Sequence, residues 1–595
     1  MFPYSAPIKD MIFAIETVGK MKDLQQMAPF VEATPDMVEA IVNEGGRQAA
    51  EIAAPLNHSG DMEGSKVKDG SVVTPKGFKE AYAKYVEAGW NGLMATTDYE
   101  GQGLPFLLAS AVQEAWASAN MSLSLCPMLN HGSIEAITHH ASDELKDVYL
   151  AKMISGRWTG TMNLTEPQAG SDVGAVKTKA QPLSDGSFAI SGSKIFITFG
   201  DHDMAENIIH LVLARTPDAP PGTRGISMFL VPKFLVNPDG TLGDDNNVRC
   251  VSVEHKLGIH ASPTCVMSFG DDGNCLGWLV GEENKGMKNM FTMMNHARIN
   301  VGLQGVAIAE RATQHAVAYA KERMQGVAIG MDSAGPHAII HHPDVRRMLM
   351  TMRAMTEGLR ALTYLNASAV DHAHGSVDPA EKNKWQGLAD LLTPITKSYC
   401  TDVGVEVASI GVQVHGGMGF VEETGAAQFY RDARIAPIYE GTNGIQAMDL
   451  VGRKFSLDGG AHWQNHLKNM EDIADKLSGS KLKTHKHDLE KAILKTHQAT
   501  VKMIEMAVEQ PRALGIGSSY VLRMYGIVTC AALLADMALV AEDKLEAGEG
   551  DANWLQGKID IANFYMEHIL PQINALYAPA TAGEEVVFQM DIENL

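Results

Sequence analysis

Phe188-Ala-Ile-Ser-Gly-Ser-Lys-Ile-Phe-Ile-Thr198 is the longest of five short runs rich in β-branched and aromatic residues in this chain. The others are Asn207–Arg215, Gly225–Val231, Val248–Val253 and Thr264–Phe269, separated by turn residues such as Asp185-Gly186 and Pro220-Pro-Gly222. No long amphipathic helix falls between them. Parallel strands joined as βαβ units would need such helices, so an antiparallel sheet or a small barrel is expected here.

Outside this stretch the pattern is helical. On the N-terminal side Ile12, Ile15 and Val18 share one face, and Leu107–Ala119 is long, apolar and alanine-rich. The polar, glycine-rich segment His58–Gly77 reads as a surface loop, with Pro75 near the start of a new helix. On the C-terminal side helices are expected over Met287–Gln325, from His342-Pro343 after a loop at Gly330–Gly335, and over Asn383–Ile410. Beyond Phe455 the chain is helical again, with polar linkers at Ser478–Ser480 and Glu546–Gly550 and a helix stop at Pro511. The fold expected is mainly α with a central antiparallel β domain. Its parts are a helical domain over residues 1–159, the β domain over 160–282, a helical bundle over 283–455 and an added C-terminal helical domain over 456–595.

The chain has 595 residues and a formal charge of −22, which gives no support to nucleic-acid or anionic-membrane binding. An anionic substrate would need local arginines, lysines or helix N-termini. Cysteines at 126, 250, 265, 275, 400 and 530 have no C-x-x-C spacing, and the N-terminus shows no signal peptide. Both point to a reducing, cytoplasmic setting. The apolar run Gly526–Val540 is interrupted by Asp536 and reads as a buried helix, with no membrane span expected. The 22 histidines include no H-E-x-x-H pattern, so no metal is expected. No dinucleotide-fold or P-loop glycine pattern is present, and any large cofactor must be held by scattered loops.

Five segments could carry chemistry. Leu164-Thr-Glu-Pro-Gln-Ala-Gly-Ser-Asp172 offers hydroxyls, Gly170 and backbone donors suited to phosphate oxygens or a flavin ring, or else a turn in which Ser171 or Asp172 caps a helix. Phe196 and Thr198 lie two apart on one strand face, where simple packing is the alternative. His415-Gly416-Gly417-Met-Gly419, just after Gln413, allows close backbone approach to a ligand or forms a tight interhelical loop. Arg298, inside a mostly apolar helix, must reach the surface or pair with a carboxylate or phosphate. Arg323 ends the same periodic stretch. The fifth segment is Ile435-Ala-Pro-Ile-Tyr-Glu-Gly-Thr-Asn-Gly-Ile-Gln446, where Glu440 stands between an apolar stretch and a glycine-rich turn. Such a carboxylate is a candidate general base, or a solvated residue at a helix start.

In order and spacing these motifs resemble the acyl-CoA dehydrogenase family over residues 80–455. The resemblance implies FAD held without a dinucleotide fold. It implies that Leu164, Thr165, Gly170 and Ser171 contact the flavin and its pyrophosphate, and that Thr198 lies near flavin N5 with Phe196 backing the ring. Phe196 replaces the usual tryptophan, and Phe199 stands where asparagine is common. Arg323, with Gln325 in its loop, would reach a neighbouring subunit's FAD, as would Gln413, Gly416 and Gly417, so at least a homodimer is implied. Thr442 and Gln446 would close over the cofactor. The family places its catalytic base at one of two positions; one is Ala297 here, which cannot take a proton, and the other is Glu440. Arg298 would be its electrostatic partner. The implied reaction is α,β-dehydrogenation of an acyl-CoA to the trans-2-enoyl-CoA. Glu440, its pKa raised in a water-poor site, takes the α-proton; hydride passes to flavin N5, and electron-transfer flavoprotein takes the electrons. Chain length and the added C-terminal domain narrow the resemblance to a bacterial group acting on 3-methylmercaptopropionyl-CoA or ordinary fatty acyl-CoAs. The alternatives are an oxidase using O2 and a noncatalytic acyl-CoA-binding or assembly protein.

Overall fold

The computed structural model describes residues 2–331 and 335–595, so residues 332–334 of the expected loop lie outside it. The chain groups into two compact units. One comprises Asn43–Pro105 and Ala115–Asn300 and carries the sheet. The other comprises Met1–Val42, Phe106–Glu114 and Val301–Leu595 and is helical.

Among the described residues the sheet has eight strands. They are β1 (Trp158–Asn163), β2 (Lys179–Pro182), β3 (Phe188–Thr198), β4 (Asn207–Ala214), β5 (Ser227–Pro232), β6 (Val248–Val253), β7 (Thr264–Phe269) and β8 (Cys275–Leu279). The order is β6-β7-β3-β8-β5-β4-β1, with β2 also paired to β3. Strand β3 is long enough to serve several partners: Phe188–Ile190 pair with β8, and Gly192–Thr198 with β7. One pair departs from the expected antiparallel arrangement. β1 runs parallel to β4, Trp158 opposite Asn207 through Asn163 opposite Val212. The chain between them makes the β2–β3 hairpin in place of a crossover helix, so the sheet is mixed. β1 escapes a hydrophobic-pattern reading because it is built on threonine and Gly160. A Cβ on Gly160 would sit 2.3 Å from Ser133 of the helix packed against it. The core of the unit is Ile190, Ile197, Val212, Phe229, Val231 and Phe269, all buried, each such side chain contributing about 1.5–3 kcal/mol.

The expected surface loop His58–Gly77 is ordered into a helix, Leu56–Glu63, and a hairpin of Lys66–Lys68 with Ser71–Val73. Val72 is buried in the sheet core and its N–H donates to Asp201 Oδ2 at 2.9 Å, while Thr74 Oγ1 donates to Asp203 at 2.7 Å. Asp201 and Asp203 are far along the chain, which is why composition alone made this segment a loop.

The principal helices are α1 (Ile8–Thr17), α2 (Gly286–Glu322), α3 (Pro343–Gly375), α4 (Pro379–His415), α5 (Asn443–Gly452), α6 (Ala461–Lys476), α7 (Lys486–Glu509), α8 (Pro511–Ala547) and α9 (Ala552–His568). Local signals set their starts. Asp378 accepts from Ala380 N–H with Pro379 in the first turn of α4, and Thr442 accepts from Ile445 N–H at 3.3 Å to cap α5. Pro511 both ends α7 and opens α8. The apolar run at Gly526–Val540 belongs to this 37-residue helix, which is longer than its sequence boundaries indicated. By length and composition α8 could cross a membrane, and 83% of its most apolar window is buried within the protein. A core helix shows that burial.

A network of buried charges ties α1, α3 and α9 together. Arg360 lies 2.7 Å from both Glu114 and Glu310, and Tyr364 O–H donates to Glu114 at 2.7 Å. Lys558 bonds Glu357 at 2.8 Å and Asp10 at 2.5 Å, Arg353 reaches the same two carboxylates, and Trp554 N–H donates to Asp10. Burial would raise the Asp10 carboxyl, but Lys558 and Arg353 outweigh it and hold it well below the usual range. Removing one member of such a cluster costs about 3–5 kcal/mol, because a charge is left buried alone.

Candidate active site

In the sheet unit the two strongest motifs are joined by backbone. Ile195 N–H donates to Thr165 O at 2.9 Å, and Lys194 Nζ donates to Leu164 O at 3.0 Å. The first motif therefore lies against β3. Between them sits a pair that motif reading missed. Glu166 and Lys194 are both buried, 2.9 Å apart. Glu166 also accepts from Lys177 N–H at 2.7 Å, Thr178 N–H at 3.0 Å and Thr178 Oγ1 at 2.5 Å. Burial alone would raise its carboxyl; Lys194 and these donors prevail and bring it to about 2. Burial lowers Lys194 to about 8 against the pull of Glu166. Glu166 is thus the anchor of the loop, and Gly170 and Ser171 remain exposed beyond it.

The loop continues into a single 3-10 turn, Val173–Ala175, that neither Ser171 nor Asp172 caps with its side chain. Arg215 fixes it instead, donating to Gly174 O at 2.5 Å, Val176 O at 2.8 Å, Gly222 O at 2.9 Å and Pro220 O at 3.0 Å. With that turn pinned, the Ser171 hydroxyl is uncommitted to a helix. A Cβ on Gly170 would meet nothing within 4 Å.

Phe196 and Thr198 share β3, but a β-bulge intervenes. Cys265 pairs with Ile197 and Met267 with Lys194, so Val266 alone opposes Ile195 and Phe196. Phe196 takes a left-handed backbone, φ 59°, and the residue is 58% exposed. Phe199 is also left-handed, φ 49°, yet its ring is buried edge-on to His202 at 5.5 Å. Phe199 is packing, and Phe196 alone presents a face. An aromatic ring left open on a strand suits a flat heteroaromatic group. Arg298 is buried in the same unit, with its guanidinium 5.7 Å from the Phe291 ring.

In the helical unit Glu440, Thr442 and Gln446 are brought together in one turn. Glu440 is half-buried with a left-handed backbone, φ 57°, followed by Gly441 at φ 87°. A non-glycine residue there is strained by about 1–3 kcal/mol and persists only where its surroundings hold it. Here they do. Tyr439 O–H donates to Gln304 Oε1, and Asn443 N–H closes the turn onto Pro437 O at 3.0 Å. The Asn443 side chain donates to Ser398 O, Thr401 Oγ1 and Asp402 Oδ1 at 2.8–3.1 Å and accepts from Lys397 Nζ at 2.8 Å. Buried Gln446 donates to Gly441 O at 3.3 Å, while its Oε1 is buried without a hydrogen-bond partner among the described residues. That orphaned oxygen is where a ligand hydroxyl or amine would fit. Burial, and then the charge of Glu440, push the Tyr439 phenol upward, against the bond to Gln304.

Arg323 lies just past the end of α2, exposed, and makes no ion pair with a described residue. Its backbone pairs with Ile339 N–H at 2.8 Å, and Gln325 N–H with His337 O at 2.9 Å. Gln413, Gly416 and Gly417 are exposed at the end of α4, and a Cβ on either glycine would meet nothing. The tight glycine is Gly419, whose Cβ would lie 2.2 Å from Val412 O. Beneath them His415 bonds His315 at 2.8 Å and Gly411 O at 2.7 Å and stacks on Tyr319 at 4.4 Å. Burial lowers both imidazoles, His315 to about 3, so the pair is neutral and apolar in character.

Comparison with known proteins shows what this set of residues belongs to. Residues 68–157, 161–271 and 284–454 match the N-terminal, middle and C-terminal domains of acyl-CoA dehydrogenase. The chain belongs to the acyl-CoA dehydrogenase family. Residues 466–591 match a further domain, acetyl-CoA dehydrogenase C-terminal like, which accounts for the helical tail. The chain is 46% identical over 580 residues to 3-methylmercaptopropionyl-CoA dehydrogenase of Ruegeria pomeroyi, covering 97% of this chain and 98% of that one. Caenorhabditis elegans ACDH-11, solved in complex with C11-CoA, superposes with a TM-score of 0.77 at 20% identity, covering 100% of this chain and 97% of that one. An acyl-CoA dehydrogenase from Bacillus anthracis, solved with FAD, gives 0.73 at 19% identity over 93% and 89%. The protein is an acyl-CoA dehydrogenase, and the added C-terminal domain is part of the shared fold.

Proposed function

We propose that Glu440 removes the α-proton of an acyl-CoA thioester as the β-hydrogen leaves as hydride, giving the trans-2-enoyl-CoA. FAD, the cofactor of this family, supplies the hydride acceptor when bound. Leu164, Thr165, Gly170, Ser171, Phe196 and Thr198 would hold it on the sheet unit, with Thr442 and Gln446 from the Glu440 turn. Arg323, Gln413, Gly416 and Gly417, exposed and open, would serve the cofactor of a second subunit, which makes the assembly at least a homodimer. Arg298 would act as electrostatic partner of Glu440. We assign reoxidation to electron-transfer flavoprotein and the protein to the cytoplasm.

The observation that carries this reading is the Glu440 turn. A half-buried carboxylate sits on a strained backbone that Asn443 and Gln446 hold, while residue 297 is alanine. Strain held in place by so many bonds is expected at a site where one side chain must be aimed. The thioester α-proton is weakly acidic, so its removal needs a base and stabilisation of the developing enolate; the Glu440 N–H is the donor we assign to the thioester oxygen.

For the acyl group we propose a short thioether or straight chain, since the 46% identical relative is a 3-methylmercaptopropionyl-CoA dehydrogenase. The test is anaerobic bleaching of the holoenzyme by short, medium and long acyl-CoAs and by 3-methylmercaptopropionyl-CoA. Bleaching by at least one, fastest with the short thioesters, is expected. A flavin spectrum unmoved by the whole panel would overturn the dehydrogenase mechanism, and fastest bleaching by long chains the substrate assignment.

A further inference from the structure

A cavity of about 590 Å³ opens in the helical unit where the turn after α1 meets α3, α4, α6 and α8. None of the candidate active-site residues lines it. Its size lies within the usual range for small-molecule sites. The walls are mostly apolar: Leu365 from α3, Trp385 and Leu388 from α4, Met470 and Ile473 from α6, and Leu533 from α8. The place is built for helices to meet closely. Gly387 lets the His462 ring lie directly on α4, where a Cβ would come within 2.0 Å of Nδ1.

Over this apolar floor sit cations. Lys20 stands on a left-handed backbone, φ 50°, with its ammonium 5.4 Å from the Trp385 ring centroid, and forms no ion pair with a described residue. Lys384 lies 5.5 Å from the same ring and is paired with Glu381 at 3.1 Å. Lys468 and Lys476 also line the cavity, but Asp472 at 3.0 Å and Asp536 at 3.9 Å engage them. Asn465 and Asn469 also line it. His372 is stacked on Trp385 at 4.1 Å and steadies the ring. Three of the four lining lysines are paired with acidic residues, and the cation without an ion pair to a described residue is Lys20, beside the indole.

We propose that this cavity is a second small-molecule site, for an apolar-tailed monocarboxylate of medium chain length. The tail lies on the leucines and methionine, and the carboxylate meets Lys20, with Asn465 and Asn469 as further donors. A neutral head leaves Lys20 without a partner, and a cationic head is repelled by it. A highly charged phosphate head would give up its hydration to a mostly apolar lining. The ligand would touch the α1 turn, the bundle and the C-terminal domain at once, so it stabilises their packing by mass action.

The holoenzyme titrated with octanoate, followed by calorimetry and flavin absorbance, tests this. One saturable site per chain is expected, with the flavin spectrum unmoved and octanol and octyltrimethylammonium binding at least about tenfold more weakly. Lys20→Glu, at an exposed position, should weaken octanoate about tenfold or more, and Leu388→Trp should remove it by filling the cavity. No saturable heat up to about 10 mM would overturn the proposal. So would full displacement by acyl-CoA, equal binding of octanol, or unchanged affinity in both variants.

Discussion

Two glutamates of this chain stand in short motifs of similar appearance, Thr-Glu-Pro at 166 and Tyr-Glu-Gly at 440, and the fold treats them in opposite ways. Glu166 is buried, ion-paired with Lys194 and saturated with donors, so its charge is spent on fixing a loop. Glu440 is half-buried, and what surrounds it holds its backbone: Asn443 closes the turn and Gln446 bonds the adjoining carbonyls. A carboxylate held by Lys194, Lys177, Thr178 and Gln168 positions other groups; a glutamate whose turn is held in a left-handed conformation has its side chain aimed by that turn. Each region also aims a side chain through a left-handed non-glycine residue, Phe196 at φ 59° and Glu440 at φ 57°. In the sheet the bulge imposes that conformation, and in the helical unit a polar hub does.

The comparison can be broken first at Glu440. Glu440→Gln should lower turnover by about 10²–10⁴-fold while leaving bound flavin and thermal stability unchanged. Loss of flavin in that variant would mean that Glu440 is an anchor like Glu166. Lys194→Met should do the reverse, destabilising the sheet unit by about 3–5 kcal/mol and releasing flavin, as read by denaturant melts and cofactor content. Lys194→Met with Glu166→Gln should recover part of that loss, because no unpaired charge then remains buried. Asn443→Ala should cost about 1–3 kcal/mol, with kcat reduced and flavin content kept, since the hub orients Glu440 without building the sheet. The smallest effect is one of pH. Glu166 titrates near 4.5 when unfolded and near 2 when folded, so the stability it provides is full above the first value and lost as pH falls toward the second. Down to pH 4 the loss is about 1 kcal/mol, and Glu166→Gln should flatten this limb of the stability profile.

Much of this organisation is legible in the sequence, and the omissions have physical causes. The five β-rich runs are strands, and the three long bundle helices begin within about four residues of the expected Met287, Pro343 and Asn383. Strand β1 was hidden because Gly160 and the threonines are there to admit a close helix, and apolar alternation does not report close approach. The hairpin at Val72 was hidden because its partners, Asp201 and Asp203, are remote in sequence. Lys194 did leave a signal. It shares the inward face of β3 with Ile190, where a lysine must find a buried carboxylate. That the carboxylate is Glu166 needs the register of two segments 28 residues apart. Phe199 reads like Phe196 in one dimension, and only the bulge turns one ring inward and leaves the other open.

The central claim is that Glu440 is the group that takes the α-proton. The direct test is hydrogen exchange at the α-carbon of an acyl-CoA whose β-carbon bears no hydrogen, such as 3,3-dimethylbutyryl-CoA, in D2O with the holoenzyme. No hydride can leave this thioester, so the measurement isolates proton removal. The account predicts deuterium uptake catalysed by the native enzyme and slowed at least about 100-fold in Glu440→Gln. Exchange at the native rate in that variant would contradict it.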